Sequence, residues 1–524
     1  MAQASMRPGN GQPGSPAPGG GWRRIGWTML IGPTIVLVIL GAYLAVRFGS
    51  DTPVTYADDE EHFKYGSTGG EHDSGLPYWI FQALPKICPQ YLPGPGYASL
   101  GLYFEEGHDL PVGMSKRRYM GIDRTFLNCA VCHTSTVRDS SASRPRLVLG
   151  MPANTFNIMA FQKFFFACAK DQKFSGEFII PEVRSLLSQN HRLHPQAPAD
   201  LDLIDRYLVY PVAISIMRER MLMLAGRFAW IDQQHDWGPG RVDTFNANKV
   251  MFNYPMHRLS EAELNAPADF PSIWNQQPRK EAQMQLHWDG NNTMFEERDK
   301  NAAFGTGTTP PTIDLKAIGR IENWILTKDA PRFPYPIDTA KAGRGAAVYR
   351  KYCSACHGAG RREATGPYDF TGADVGKVTP IAELRTDRHR LDSYTYELAV
   401  NQSTVYAGYP YRYTHFRKTF GYANLPLDGL WLRAPYLHNG SVPNLRELLQ
   451  PASKRTPVFY RGNDVYDPVN VGFVSNVGKE GAQEYFKYDT RAPGNGNGGH
   501  EGERYGTYLA EADKDALVEY LKTF

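Results

Sequence analysis

Two pentapeptides, Cys129-Ala130-Val131-Cys132-His133 and Cys353-Ser354-Ala355-Cys356-His357, each place two thiols three positions apart with an imidazole directly after them. That order has a chemical use. The thiols can add to the two vinyl groups of one porphyrin, and the next residue can turn its imidazole under the ring to ligate the iron. A zinc site would need a second ligand pair to close its tetrahedron, and a redox dithiol needs no His after it. Two such motifs drawn from six Cys and 14 His in 524 residues leave little room for accident. The spacing predicts two covalently bound c-type haems, held by Cys129, Cys132, Cys353 and Cys356, with His133 and His357 as proximal iron ligands.

Each iron has a sixth position, and its occupant separates electron transfer from chemistry. Many c-type haems use Met there, but the last Met in this chain is Met294, so the second haem must take another residue type. His389, His415, His438 and His500 are the histidines that follow the second motif. His438 lies in the mostly apolar run Leu430–Pro443, which ends in turn residues, and is the predicted ligand. His389, in Thr386-Asp-Arg-His-Arg390, reads as solvated.

The elements that must hold these residues follow from pattern. The Pro-rich stretch 328–337 reads as a linker. After it, 340–352 has helical composition and runs into Cys353, and 510–524 repeats its apolar positions at helical spacing. A helix before the motif and one at the chain end are the pair that cross in a small cytochrome c domain, expected over 338–524. Residues 50–330 are expected to form a larger haem domain, with helices near 155–170 and 201–224 and a turn-rich segment at 233–255. The fold class expected is mainly α, with two cytochrome c-like domains and long irregular loops, preceded by one transmembrane helix. Abundant Gly (50), Pro (38), Tyr (30) and Phe (26) suit segments that pass close to a flat ring. A net charge of +3 gives no sign of a nucleic-acid partner. Cys88 and Cys168 remain, either as a disulfide or as two buried thiols.

Residues 25–46 are apolar and uncharged, as long as the ~20 residues that cross a bilayer. Arg23 and Arg24 precede them, which predicts an uncleaved anchor with a disordered cytoplasmic leader, 1–24, and the rest exported. The localisation expected is a bacterial inner membrane with the soluble part in the periplasm, where c-type haem is attached.

The run Ala434-Pro-Tyr-Leu-His-Asn-Gly-Ser-Val-Pro443 resembles a motif of the bacterial di-haem cytochrome c peroxidase superfamily. Leu286-His-Trp-Asp-Gly290 resembles its tryptophan-Asp-Gly motif, and Val112–Arg117 with Gly238–Asp243 resemble the rubber-oxygenase branch. The resemblance covers roughly residues 75–524. It implies that Trp288 stands between the two haems and that the haem of His357 and His438 transfers electrons. The haem of His133 would keep an open face for hydrogen peroxide or dioxygen. A redox partner protein or membrane donor would supply electrons, and a calcium ion is carried by several relatives. Classical peroxidases place a glutamate about twenty residues after the tryptophan. Here that region reads Ala302-Ala-Phe-Gly-Thr-Gly-Thr-Thr309, and Phe304 is the apolar distal residue implied instead. Glu296, Glu297 and Asp299 are nearby carboxylates that could replace the proton carrier. Lys116, Arg117 and Arg118 are candidates for haem propionates, against a plain basic surface. Peroxidase, oxygenase and pure electron carrier remain the rival readings.

Overall fold

The computed structural model describes Gly14, residues 21–361 (side chains from Gly32) and residues 366–524. Chain contacts separate a small unit, Met1–Thr52 with Tyr119–Gly121, from a large one, Pro53–Arg118 with Ile122–Phe524. Both C-x-x-C-H motifs belong to the large unit.

In its N-terminal part, Phe81, Tyr97, Phe164 and Phe165 are buried together, with Phe81 stacked on Tyr97 at 4.2 Å. Cys88 caps the helix Tyr78–Ile87 and is disulfide-bonded to Cys168 in the helix Ile158–Lys170, which resolves the alternatives for these two thiols. The bridge joins positions 80 apart in sequence and so restricts the unfolded chain.

The C-terminal part is built on two crossing helices. Thr339–Tyr352 begins at Asp338, whose carboxylate accepts from the Lys341 amide, and ends at Cys353. Glu511–Leu521 packs across it, burying Leu517 and Tyr520 beside Tyr349 and Phe524. The helices touch at Gly345, where a Cβ would run into the Ala516 carbonyl, so only glycine permits this approach. Tyr349 donates to the Gly358 carbonyl at 2.8 Å, fixing the chain just beyond the second motif.

The mainly α expectation is corrected. The chain is 43% helical and 12% strand, with several small sheets. Thr134–Val137 pairs with Arg146–Leu149, Val378–Pro380 with Gly421–Ala423, and Val458–Arg461 with Phe486–Asp489, all antiparallel. These strands are two to four residues long in most cases, too short for alternation to stand out from loop sequence. The transmembrane expectation is corrected as well. A helix runs from Gly21 to Phe48, but among the described residues no helix is long and apolar enough to cross a membrane. The leader expected at 1–24 lies almost wholly outside the described residues.

Candidate functional site

Cys129–Val131 form a 3-10 turn that Asn128 organises from both sides. The Asn128 side-chain oxygen accepts from the Ala130 amide at 3.0 Å, and its amide donates to the carbonyls of Lys64 (3.2 Å) and Gly66 (3.0 Å). The motif is thereby fastened to the helix Asp59–Tyr65. Both thiols are free. The His133 ring uses Nδ1 against the Pro271 carbonyl at 2.8 Å. That bond places the proton on Nδ1 and leaves Nε2 for iron, the arrangement found in metal-ligating histidines. Burial holds the imidazole neutral, with its pKa lowered to about 4.

The second motif repeats this chemistry on a different frame. Cys353 and Cys356 are free, and His357 donates from Nδ1 to the Leu425 carbonyl at 2.7 Å. Burial lowers the His357 pKa too. What faces it is His500. The two ring centroids are 6.2 Å apart, with their planes at 50°. A metal–imidazole bond is about 2 Å, so two imidazoles on opposite sides of one ion have centroids roughly 6 Å apart. The pair therefore has the spacing of a bis-imidazole site. His500 keeps a buried Nδ1 with no hydrogen-bond partner, and burial lowers its pKa to about 3.

The other three histidines are engaged elsewhere. His438 is buried with Nε2 3.0 Å from the Tyr422 hydroxyl and its ring stacked on Tyr422 at 4.1 Å. The His389 Nδ1 meets Asp387 at 3.0 Å, and that of His415 meets Glu297 at 2.9 Å. Sequence reasoning passed over His500 because it lies in the Gly-rich run 494–502, which reads as a loop. The run is in fact held in place. Arg455 donates to the carbonyls of Asn497, Gly499 and His500, and the His500 amide donates to the Leu384 carbonyl at 2.7 Å. Gly499 has φ +76°, and a Cβ there would meet the backbone of Arg385 and Thr386. A glycine flanking the His is the signal that marked a close approach.

A cavity of about 320 Å³ extends from Cys129, Cys132 and His133 to Leu425 and Pro426, beside the carbonyl that holds His357. Its surface is mostly apolar, as a porphyrin face requires. Trp288 lies on this wall, with its indole N–H donating to the Asp269 carbonyl at 2.8 Å. Phe304, by contrast, is buried and stacked on Phe252 at 5.9 Å, and the helix Phe295–Gly305 lines the cavity through Arg298, Asp299, Asn301, Ala302 and Gly305. Asp299 keeps a buried Oδ2 with no partner, and burial pushes its carboxyl above the ordinary range against the pull of Arg298 beside it. The free thiol pairs and the pinned imidazoles suit covalent haem c, and the cavity adjoins the first motif. Of the basic residues expected at propionates, Lys116 pairs with Asp109 and Arg118 with Asp123, while Arg117 donates to Ser67. The guanidiniums on the cavity wall are those of Arg279, Arg298, Arg390 and Arg433. Among the described residues one cluster could hold a further metal, Glu61, Glu105 and His108, but the Lys64 ammonium already bonds both glutamates.

Comparison with known proteins agrees with this chemistry. A family described as RoxA-like, cytochrome c-like matches residues 421–460, which contain the run 434–443. The chain is 32% identical to the uncharacterized protein y4iM of Sinorhizobium fredii over 49% of its own length and 64% of that protein's. It is 26% identical to the uncharacterized protein y4iJ of the same organism, over 95% of this chain and 99% of that one. The chain thus contains a cytochrome c-like segment, which implies covalent haem c.

Proposed function

We propose that this chain is a di-haem c-type oxidoreductase that reduces a peroxide, with one haem for electron transfer and one for chemistry. The observation that carries the reading is Asp299, a cavity carboxyl with one unpartnered oxygen. Cleavage of an O–O bond needs a group that takes a proton from one oxygen and returns it to the other. In the classical peroxidases that the sequence resembles, a glutamate serves this purpose further along the chain, and Asp299 supplies the carboxyl here. Burial raises its pKa, and the Arg298 guanidinium pulls against that rise.

Bound haem supplies an iron able to exchange electrons and accept an oxygen ligand. The residues do the rest. His357 and His500 would hold one haem iron, which suits electron relay. His133 would hold the other, beside a cavity with room for a small oxidant. Trp288, on the wall that continues to Leu425, offers an aromatic contact for electron passage. The apolar cavity surface also favours a second reading, oxygenase action on an organic substrate with dioxygen. The Cys88–Cys168 disulfide supports an oxidising compartment outside the cytoplasm, where thioether attachment also takes place. A redox protein or a membrane donor would then supply electrons.

The test is the pH profile of hydrogen-peroxide turnover by the di-haem protein with a reduced cytochrome donor. The groups facing Asp299 are Arg298, Glu296 and Lys300 on its own helix, Cys129 across the cavity, Glu322 from the helix Leu315–Thr327, and Tyr413. The carboxyl must ionise to accept the peroxide proton, so activity should fall as pH drops through its raised pKa. Asp299→Asn should remove that limb and slow turnover roughly 100-fold or more. An unchanged rate in Asp299→Asn would eliminate the proton-carrier role, and oxygen uptake in place of peroxide loss would favour the oxygenase.

A further inference from the structure

The cavity wall continues into a row of aromatic rings. His287 and Phe416 both line the cavity, 6.4 Å apart at nearly parallel planes. Phe416 lies 5.2 Å from Tyr413, and Tyr413 lies 4.9 Å from Tyr406. Tyr406 in turn lies 5.3 Å from Tyr411 and 6.3 Å from Tyr409, which are 5.3 Å from each other and reach solvent. Tyr413, Tyr406 and Phe416 are buried. The hydroxyls of Tyr406 and Tyr413 and the Thr308 Oγ1 are buried against one another, with no hydrogen-bond partner outside this cluster. A packing role alone would be served by phenylalanine, since each of these hydroxyls costs its desolvation. Phenols, however, give up an electron far more readily than phenylalanine does.

We infer that Tyr413, Tyr406 and the Tyr409–Tyr411 pair form a relay that carries oxidising equivalents from the haem cavity to a surface site, where a phenolic donor too bulky for the cavity is oxidised. The relay rests on the peroxide reading above. Hydrogen peroxide takes up two electrons and two protons to give two waters. Each electron passes from Tyr413 through Phe416 to the oxidised haem centre, and the phenolic proton leaves by the neighbouring hydroxyls. Tyr406 refills Tyr413, and Tyr409 or Tyr411 refills Tyr406. Two donor phenols at the surface each lose one electron and one proton, which closes the balance. The exposed Arg412, with the buried Lys300 ammonium 5.9 Å from the Tyr411 ring behind it, makes this surface favourable for an electron-rich or anionic phenol.

The test uses the di-haem protein treated with hydrogen peroxide and a nitroso spin trap, with adducts mapped by mass spectrometry. Exposed Tyr396 and Tyr508 serve as internal controls. The relay predicts adducts at Tyr409 and Tyr411, their loss in Tyr413→Phe and in Tyr406→Phe, and little change in the initial haem response. Because neither hydroxyl bonds outside this small cluster, both variants should fold. Trapping at Tyr409 and Tyr411 that survives both substitutions, or that is matched at Tyr396 and Tyr508, overturns the relay while leaving the peroxide reading intact. Haem bands that do not respond to peroxide overturn both.

Discussion

His357 and His500 meet at the centroid distance of two imidazoles sharing one metal ion, whereas His438 has spent its outer nitrogen on Tyr422. The two histidines therefore predict opposite results. His500→Ala should convert the second haem from low spin to high spin and make it reactive to cyanide. His438→Ala should leave that spin state unchanged and reveal itself instead as lost stability, of about 1–3 kcal/mol, because a buried imidazole and its bond to the Tyr422 hydroxyl are lost, while Tyr422 keeps its bond to the Asp387 carbonyl. Optical and low-temperature paramagnetic spectra of both variants decide between them. Residue types at this scale were only partly legible. The thiols and proximal histidines are readable because their chemistry demands adjacent positions. The imidazole facing His357 comes from a loop distant in sequence, and the composition around His438 is more apolar than the glycine-rich surroundings of His500. Phe304 and Asp299 divide in the same way. Both were visible as candidates, but only helical phase decides that Asp299 faces the cavity while Phe304 packs on Phe252.

At the scale of elements, the crossing of Thr339–Tyr352 with Glu511–Leu521 presents Cys353 and supports the chain beyond His357. Gly345→Ala places a methyl group against the Ala516 carbonyl and must part the helices. Overpacking of this kind costs about 1–3 kcal/mol. Denaturant unfolding of the di-haem protein should show that loss, and it should be accompanied by a disturbed second haem and an unaffected first one. The two helices were legible from their apolar spacing and their place around the motif. The short strands were not. Pairs such as Thr134–Val137 with Arg146–Leu149 are defined by tertiary neighbours rather than by alternation within each strand. The apolar stretch at 25–46 shows the opposite error, in which hydropathy alone suggested a role that the described helix does not meet.

At the scale of the molecule, both haem motifs, the tryptophan wall and the tyrosine row belong to one compact unit. One cavity runs from the first motif to the backbone that holds the second proximal histidine. Such continuity is what the proposed electron exchange between two irons requires, and the resemblance of the Trp288 and His438 motifs implies it where no local pattern does. The proposed division of labour rests on coordination. An iron closed on both sides by imidazole is inert to small ligands, and an iron with one imidazole is not. Cyanide titration of the purified chain, followed optically with iron and pyridine haemochrome counted in parallel, reads this directly. Two haem c per chain with half of the haem responding to cyanide is the expected result. A single haem, or two haems that both respond or both stay silent, would contradict it.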